Sequence, residues 1–199
     1  MLKSSKSSKI LEISSGAAFR IENDKEKTLE NDPYGFLKLE EENLLNSASN
    51  CLIMRIYGLT GQFMNSANIF AFGNFLLSAL KNERINIKSR NNVIRSYGFA
   101  SEIAFAGIEW LISNNIISKE ITLSAATNTI SLYELAQKIT KIYNLPEINS
   151  QIDYSLPENK YTCELSSFRS FLSEMDVIPC DIENQIKITY NYLKNNCKE

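Results

Sequence analysis

The chain has 199 residues, 44% of them hydrophobic and 22% charged, with a net charge of −2. That length can bury the core of one large domain or of two small lobes. The near-neutral charge excludes broad electrostatic binding to nucleic acid or anionic lipid. The basic, serine-rich start at 1–8 predicts a disordered segment without a signal peptide, and no apolar run reaches the length of a membrane span. We therefore expect a cytoplasmic protein.

The chain contains four cysteines and no histidine. No two cysteines have the C-x-x-C spacing of a zinc site, so no metal is expected. A Ser–His or Cys–His nucleophile pair is excluded because the histidine is missing. Any proton transfer must therefore use tyrosine, lysine, cysteine or a carboxylate.

The first part of the chain predicts a βαβ unit. A short apolar run ends in two serines, and a later apolar run has no polar face, as is typical of a parallel strand. Between them, Asp32 can cap a helix and Pro33 suits its first turn. The predicted elements are a strand over 9–15, a loop over 20–31, a helix over 31–49 and a strand over 51–58.

The rest of the chain predicts further helices with two more strands. Ser101 and Asp181 are candidate helix caps, and Ser131 with Glu134 forms a capping box. The predicted helices cover 68–82, 102–115, 131–144, 166–175 and 181–196, and the predicted strands cover 92–99 and 120–125.

Tyr34 and Lys38 stand four residues apart in the first predicted helix. This spacing puts both side chains on one helix face. A cation within about 4–6 Å lowers the pKa of a phenol, so such a pair can exchange a proton with an alcohol or ketone. The spacing alone is weak, because Tyr190 and Lys194 share it near the C-terminus. The strand, serine pair, capped helix and buried strand around Tyr34 distinguish it.

Five segments, in order, resemble the extended short-chain dehydrogenase/reductase family, and within it the NAD-dependent epimerase/dehydratases of nucleotide sugars. They are ISSGAAF, YGFLKLEEE, LIMRIYGLTG, IRSYGFASEIA and TNTISLYELAQKI. The resemblance implies the C-terminal part of a doubly wound parallel α/β (Rossmann-like) sheet plus a small α/β substrate-binding lobe. The implied domains are 9–62, with the serine and Tyr-x-x-x-Lys site, and 63–199, with about 100–125 returning to the sheet.

The resemblance also implies roles for single residues. Tyr34 aligns with the acid/base, and Lys38 with the lysine that holds the nicotinamide ribose beside it. Ser15 aligns with the hydroxyl that binds the reacting sugar oxygen, and its neighbour Ser14 is the second choice. Arg95 aligns with an arginine that pairs with the substrate diphosphate, which suits a bidentate guanidinium.

Some positions depart from the family pattern. Gly58 stands where the family often has a substrate-binding asparagine, Phe19 replaces a tyrosine, and Glu102 replaces an aspartate. These departures bear on sugar specificity more than on reaction class. Arg55 follows a buried run, and we interpret it as structural.

The seven glycines form no G-x-x-G-x-x-G turn after a strand, and no strand and helix precede residue 9. The family builds its NAD or NADP site from such a turn. We therefore expect a truncated or split member with little activity alone, partnered by a separately encoded cofactor half or as a homodimer. A non-catalytic remnant or interaction subunit of the same fold, and an unrelated α/β module with a chance Tyr-x-x-x-Lys, remain as alternatives.

Overall fold

The computed structural model of the chain describes residues 8–24, 26–45, 50–64, 66–113 and 122–196. The disordered start predicted for 1–8 lies outside this part except for its last residue, as do the predicted helix ends at 46–49 and 114–115. The described helices are α1 Gly16–Asn23, α2 Pro33–Leu45, α3 Ala71–Leu80, α4 Ala100–Ile112, α5 Leu132–Tyr143, α6 Ser166–Ser173 and α7 Ile182–Asn196. The described strands are β1 Ile10–Ser15, β2 Cys51–Ile56, β3 Gly58–Thr60, β4 Asn86–Ile87, β5 Val93–Phe99, β6 Thr122–Ser124, β7 Asn128–Ser131, β8 Asn149–Ser150 and β9 Asn159–Tyr161.

The first of two compact units contains an all-parallel sheet of order β1-β2-β6. Alternate side chains of β1 point to opposite faces of this sheet. Leu11 points towards α4, where it lies against Gly107, whereas Glu12 and Ser14 point towards α2. The unit comprises Met1–Tyr57, Glu102–Ala126 and Cys163–Pro179.

The core of this unit lies between the sheet and helices α4 and α6. Its strand side chains are Leu52 and Met54 of β2, which is mostly apolar, and Leu123 of β6. Helix α6 contributes Phe168, Phe171 and Leu172, each at most 1% exposed. The segment Cys163–Pro179 therefore packs in the first unit, where these three side chains lie in the core with Leu52 and Met54 of β2.

The second unit is built on β5, which pairs in parallel with β3 and β9 and antiparallel with β7. Helices α3, α5 and α7 contribute its main core. Ile182, Ile186, Thr189 and Leu193 form a stripe along one face of α7, and all four are buried. The unit comprises Gly58–Ser101, Thr127–Thr162 and Cys180–Glu199.

Three boundaries differ from the sequence expectation. The single strand predicted over 51–58 is two strands, β2 and β3, which belong to different sheets. The loop predicted over 20–31 begins only after Asn23, because α1 extends to that residue. Ser101 lies inside α4 rather than capping it, since β5 continues directly into the helix at Ala100.

Two predicted caps are confirmed. The Ser131 hydroxyl accepts from the Glu134 backbone N–H, while the Glu134 carboxylate accepts from the Ser131 backbone N–H. The Asp181 carboxylate accepts from the Asn184 backbone N–H at 2.8 Å at the start of α7. Within the described residues, no helix combines the length and apolar character needed to cross a membrane.

Candidate functional site

Ser15 ends β1 and caps α1. Its hydroxyl oxygen accepts from the backbone N–H of Ala17 at 3.2 Å, and the side chain is buried. Helix α1 then packs Gly16, Ala17 and Ala18 inward. The cap and this packing explain why the helix continues through 20–23, where the sequence predicted a loop. The predicted substrate-binding hydroxyl thus lies at the carboxyl end of a parallel strand, where α/β sheets bind their ligands.

Asp32 caps α2, as the sequence predicts. One carboxylate oxygen accepts from the Gly35 N–H at 3.2 Å, and the other accepts from the Arg20 guanidinium of α1. Burial alone would raise the pKa of Asp32, but the Gly35 and Arg20 bonds outweigh it and hold the pKa below its usual value. The cap therefore fixes the start of α2, where Tyr34 lies, against α1.

Three contacts hold α2 across the carboxyl end of β1 and the start of α1. A Cβ built on Gly35 would lie 2.9 Å from the Ala17 carbonyl oxygen, so the two helices touch at this glycine. One turn on, Lys38 Nζ donates to the Ile13 carbonyl oxygen at 3.2 Å. One turn further, the Glu42 carboxylate accepts from the Ser14 hydroxyl.

Lys38 is held by two carboxylates. Its Nζ lies 2.7 Å from Glu41 Oε2 and 3.2 Å from Glu12 Oε1. The hydrogen bond to Glu41 and the nearby Glu12 raise the pKa of Lys38, although burial acts in the opposite direction. Tyr34 is 58% exposed, and no other described residue hydrogen-bonds its hydroxyl. The shared helix face is therefore observed, but the ammonium points to carboxylates rather than to the phenol.

Helix α2 also takes part in a buried ion pair, which joins Glu42 to Arg55 of β2. Arg55 Nη2 donates to Glu42 Oε2 at 2.6 Å, and Arg55 Nε lies within 3.1 Å of both Glu42 oxygens. Arg55 Nη1 also reaches Glu22 of α1 at 2.8 Å, and the guanidinium lies 5.8 Å from the Phe19 ring centre. Arg55 is 7% exposed and Glu42 2%.

The sequence identified Arg55 as structural but missed Glu42, its partner. The signal available was an arginine within an otherwise apolar strand, since a buried charge needs an opposite charge. The pattern could not say which of the many acidic residues in 22–42 is that partner. Ser14 donates its one proton to Glu42, so it can serve a substrate only as an acceptor.

Arg95 lies in β5 of the second unit. Its guanidinium donates to the Asn159 carbonyl oxygen at 2.7 Å, to Asn159 Oδ1 at 3.0 Å and to the Ile94 carbonyl oxygen at 2.9 Å. Burial lowers the pKa of Arg95, which Tyr97 and Tyr161 partly offset. The side chain is thus oriented by β9.

The tyrosine of the second Tyr-x-x-x-Lys pair packs against another aromatic ring. The Tyr190 ring stacks on Tyr143, with centroids 4.0 Å apart and an interplanar angle of 21°. Both rings pack against the core of the second unit. This supports the interpretation of Tyr190 and Lys194 as a chance spacing.

Steric crowding by a neighbouring ring explains why residue 58 is a glycine. A Cβ there would lie 2.6 Å from the Tyr97 ring, which packs across from it in β5. An asparagine at this position would therefore displace that ring. Glu102, another position that departs from the family pattern, is buried in α4.

None of the described strand-to-helix turns carries a G-x-x-G-x-x-G sequence. No group of three or more metal-ligating side chains occurs in the described ranges. The polar groups at the carboxyl end of β1 and on the facing helix α2 include the Ser15 hydroxyl and the Lys38 ammonium.

No protein-family model matches the chain, and no curated protein matches it. Solved structures do match. UDP-glucuronic acid 4-epimerase from Bacillus cereus, in complex with UDP-glucuronic acid and NAD, has a TM-score of 0.68 at 15% identity over 94% of this chain. The chain has the fold of these nucleotide-sugar enzymes. UDP-glucose 4-epimerase from Thermotoga maritima, with UDP-glucose, matches at TM-score 0.67 and 14% identity over 96% of the chain.

dTDP-glucose 4,6-dehydratase from Bacillus anthracis, in complex with NAD, matches at TM-score 0.68 and 13% identity over 95% of the chain. The expected doubly wound α/β fold is confirmed by these matches. The chain spans 62% of the length of the B. cereus and B. anthracis proteins and 65% of the T. maritima protein. At these identities the likeness establishes the fold.

Proposed function

We propose that this chain is the acid/base and substrate-binding part of an NAD- or NADP-dependent epimerase or dehydratase that acts on a nucleotide sugar. The observation that carries the proposal is the attachment of α2 across the end of β1. Gly35, Lys38 and Glu42 all contact the stretch from Ile13 to Ala17. These contacts hold α2, which carries Tyr34, against the segment that contains Ser15.

In this proposal, Tyr34 exchanges a proton with the hydroxyl of the sugar carbon that is oxidised and reduced. Ser15 binds the same sugar oxygen and orients it. Lys38 supplies positive charge that stabilises a phenolate on Tyr34. The nicotinamide cofactor, when bound, takes up a hydride from the sugar and returns it.

Lys38 must change partners for this role. Its ammonium is bonded to Glu12, Glu41 and the Ile13 carbonyl oxygen, which together account for its three N–H donors. A ribose hydroxyl bound at Lys38 would compete with these acceptors. The exposed bond to Glu41 costs least to exchange, because Glu41 is the more exposed of the two carboxylates.

Arg95 is proposed to pair with the diphosphate of the nucleotide sugar. Its bonds to Asn159 orient the guanidinium, and its Nε has no acceptor among the described residues. A planar guanidinium with unused donors suits a phosphate group. Ser14 stays the second choice after Ser15 for a substrate contact.

A non-catalytic interaction subunit is the second candidate. The observation that favours it is the pairing of Lys38 with Glu12 and Glu41 instead of Tyr34. We also propose one of two partners. A second copy of the chain would bind through the exposed α2 leucines Leu37 and Leu44, or a polypeptide would bring the glycine-rich cofactor half.

The test compares Tyr34→Phe with Tyr190→Phe in protein that is supplied with a cofactor half. The preparation is incubated with NAD and with UDP-glucose, UDP-glucuronic acid or dTDP-glucose, and the sugar products are identified by NMR. We expect turnover to fall by about 10²–10⁴-fold in Tyr34→Phe, since acid/base groups contribute on that order. Tyr190→Phe keeps its ring stack and should retain normal turnover.

Equal turnover of wild type and Tyr34→Phe contradicts the acid/base role. Binding of the same nucleotide sugars to the chain alone gives an independent measurement. Arg95→Lys should weaken that binding by about tenfold or more, through loss of a charge-assisted bond, whereas exposed Arg84→Lys should not. Micromolar binding of NAD to the 199-residue chain alone contradicts the expectation that its cofactor site is incomplete.

A further inference from the structure

We propose that a groove beside strand β7 in the second unit binds a short extended peptide by its C-terminal carboxylate. The groove lies between β7, α5 and the first turn of α7, and its volume is about 730 Å³. Ligand sites typically have volumes of about 300–1,000 Å³. The described residues that line the groove include none of those assigned above to the nucleotide sugar, so this proposal is independent of the proposed function.

Strand β7 has an open edge. Among the described strands it pairs with β5 alone. Thr129 lies directly opposite Ser96 in the register, and their hydroxyl oxygens are 2.7 Å apart. Side chains this close are typical of a non-hydrogen-bonded pair in an antiparallel ladder. The N–H and C=O groups of Thr129 therefore point away from β5, and no other described residue bonds them.

The contacts of Ser131 support this alternation. Ser131 lies two residues after Thr129, so its backbone groups point to the same side of the strand. Its N–H donates to the Glu134 carboxylate rather than to β5. The capping box thus satisfies the open edge where α5 begins, and Thr129 is the residue to which an added chain can bond.

Helix α5 runs back along β7 and forms one wall of the groove. Glu134 is bonded to Ser131 at the end of β7, and Lys141 lines the same cavity about two turns further on. Two turns cover about 10 Å, which is also the length of three steps along a strand. Asn128, at the start of β7, lines the cavity as well. The groove is therefore long enough for about four extended residues.

The floor of the groove is apolar. Ile130 is 8% exposed and Ile182 is 9% exposed, and Ile142 packs against the core of the second unit. All three side chains line the cavity. A ligand in the groove can thus bury an apolar side chain on this floor while its backbone bonds to Thr129. Extended peptides bind to sheet edges in this way, with backbone bonds for affinity and side-chain pockets for specificity.

The charged side chains differ along the groove. At one end, the Glu134 carboxylate accepts from Ser131. In the middle, Lys138 Nζ donates to Glu183 Oε1 of α7 at 2.8 Å. At the other end, Lys141 Nζ has no acceptor among the described residues. The groove therefore has an unpaired ammonium beside the start of β7.

This ammonium selects both the ligand and its direction. A carboxylate is the complementary group for Lys141, and an extended peptide carries one at the C-terminal end of its backbone. With its carboxylate at Lys141, the peptide runs towards the start of β7 and is antiparallel to it. In an antiparallel pair, Thr129 and one peptide residue can exchange two hydrogen bonds.

The experiment screens the purified chain against a tetrapeptide library by fluorescence polarisation of an N-terminal label. One set of peptides has a free C-terminal carboxylate, and a matched set has C-terminal amides. We expect free acids with apolar side chains to bind with dissociation constants of about 1–100 μM. The amides should bind at least about tenfold more weakly, because they lack the charge that pairs with Lys141.

Two pairs of variants locate the site. Thr129→Pro removes the outward N–H without removing a bond to β5, as proline does on edge strands, and it should abolish binding, whereas Thr129→Val keeps the N–H and should bind normally. Lys141→Gln should weaken binding of the free acids at least about tenfold and leave the amides unchanged, whereas exposed Lys81→Gln should change neither. Circular dichroism checks that each variant folds, and the Lys141 comparison does not depend on the proline variant.

Four results overturn the proposal. The first is that no tetrapeptide binds with a dissociation constant below about 1 mM, and the second is equal binding of acids and amides. The third is binding that Lys141→Gln, or a folded Thr129→Pro, leaves unchanged. The fourth is displacement of a bound peptide by UDP-glucose, which would show that the groove takes a nucleotide sugar instead.

Discussion

Replacing Glu42 by alanine is expected to destabilise the first unit strongly. The substitution removes the acceptor for three hydrogen bonds of Arg55 and for the Ser14 hydroxyl, and both residues stay buried. Removing one partner of a buried ion pair costs about 3–5 kcal/mol, because the remaining charge is uncompensated. Glu22 is half exposed and contacts only Arg55 Nη1, so it compensates little.

That loss is large against the total stability of a domain, which is about 5–15 kcal/mol. For a chain of this size each kcal/mol lowers the melting temperature by about 2–4 °C, so the expected drop is about 6–20 °C. Urea denaturation followed by circular dichroism measures the free energy of unfolding. Glu40→Ala is the control, because Glu40 lies on the same helix and is exposed, and it should change stability by about 0.5 kcal/mol or less.

The double variant Glu42→Leu with Arg55→Met tests the cause. If the cost comes from an unpaired buried charge, removing both charges should recover most of the loss, since apolar replacement of a buried pair is often neutral or stabilising. Two results would refute the reasoning: a double variant as unstable as the sum of the single variants, or Glu42→Ala no less stable than Glu40→Ala.

Two further predictions concern packing and pH. Gly35→Ala should destabilise by about 1–3 kcal/mol, because its Cβ meets the Ala17 backbone at 2.9 Å, whereas Gly107→Ala meets the flexible end of Leu11 and should cost less in the same urea measurement. Glu164 accepts from Ser166 and Ser167 at the start of α6, which lowers its pKa to about 2. Because the folded pKa lies below the unfolded value, this stabilisation is complete above the unfolded value near 4.5 and is lost as pH falls towards 2. Glu164→Gln should therefore flatten the pH dependence of stability in that window, and an unchanged slope contradicts the assignment.

The sequence by itself determined the local structure wherever side chains carry a clear chemical signal, such as a helix cap or an apolar stripe. The capping side chains of α2, α5 and α7 are where the side-chain chemistry predicts, and the α7 stripe is buried as its spacing requires. The apolar run at 51–58 predicted a strand of a parallel sheet, and β2 does pair with β1 in parallel. Helix caps and hydrophobic periodicity act between residues a few positions apart, so they can be read along the chain.

Tertiary structure alone decided the partners of the charged residues. Lys38 shares a helix face with Tyr34 as its spacing requires, yet its ammonium binds Glu12 of a strand 26 positions earlier. Arg55 selects Glu42 from a helix crowded with carboxylates, and that choice fixes how α2 lies on the sheet. Such pairing depends on which side chains share a low-dielectric interior, and that is set by the packing of helices on the sheet rather than by sequence spacing.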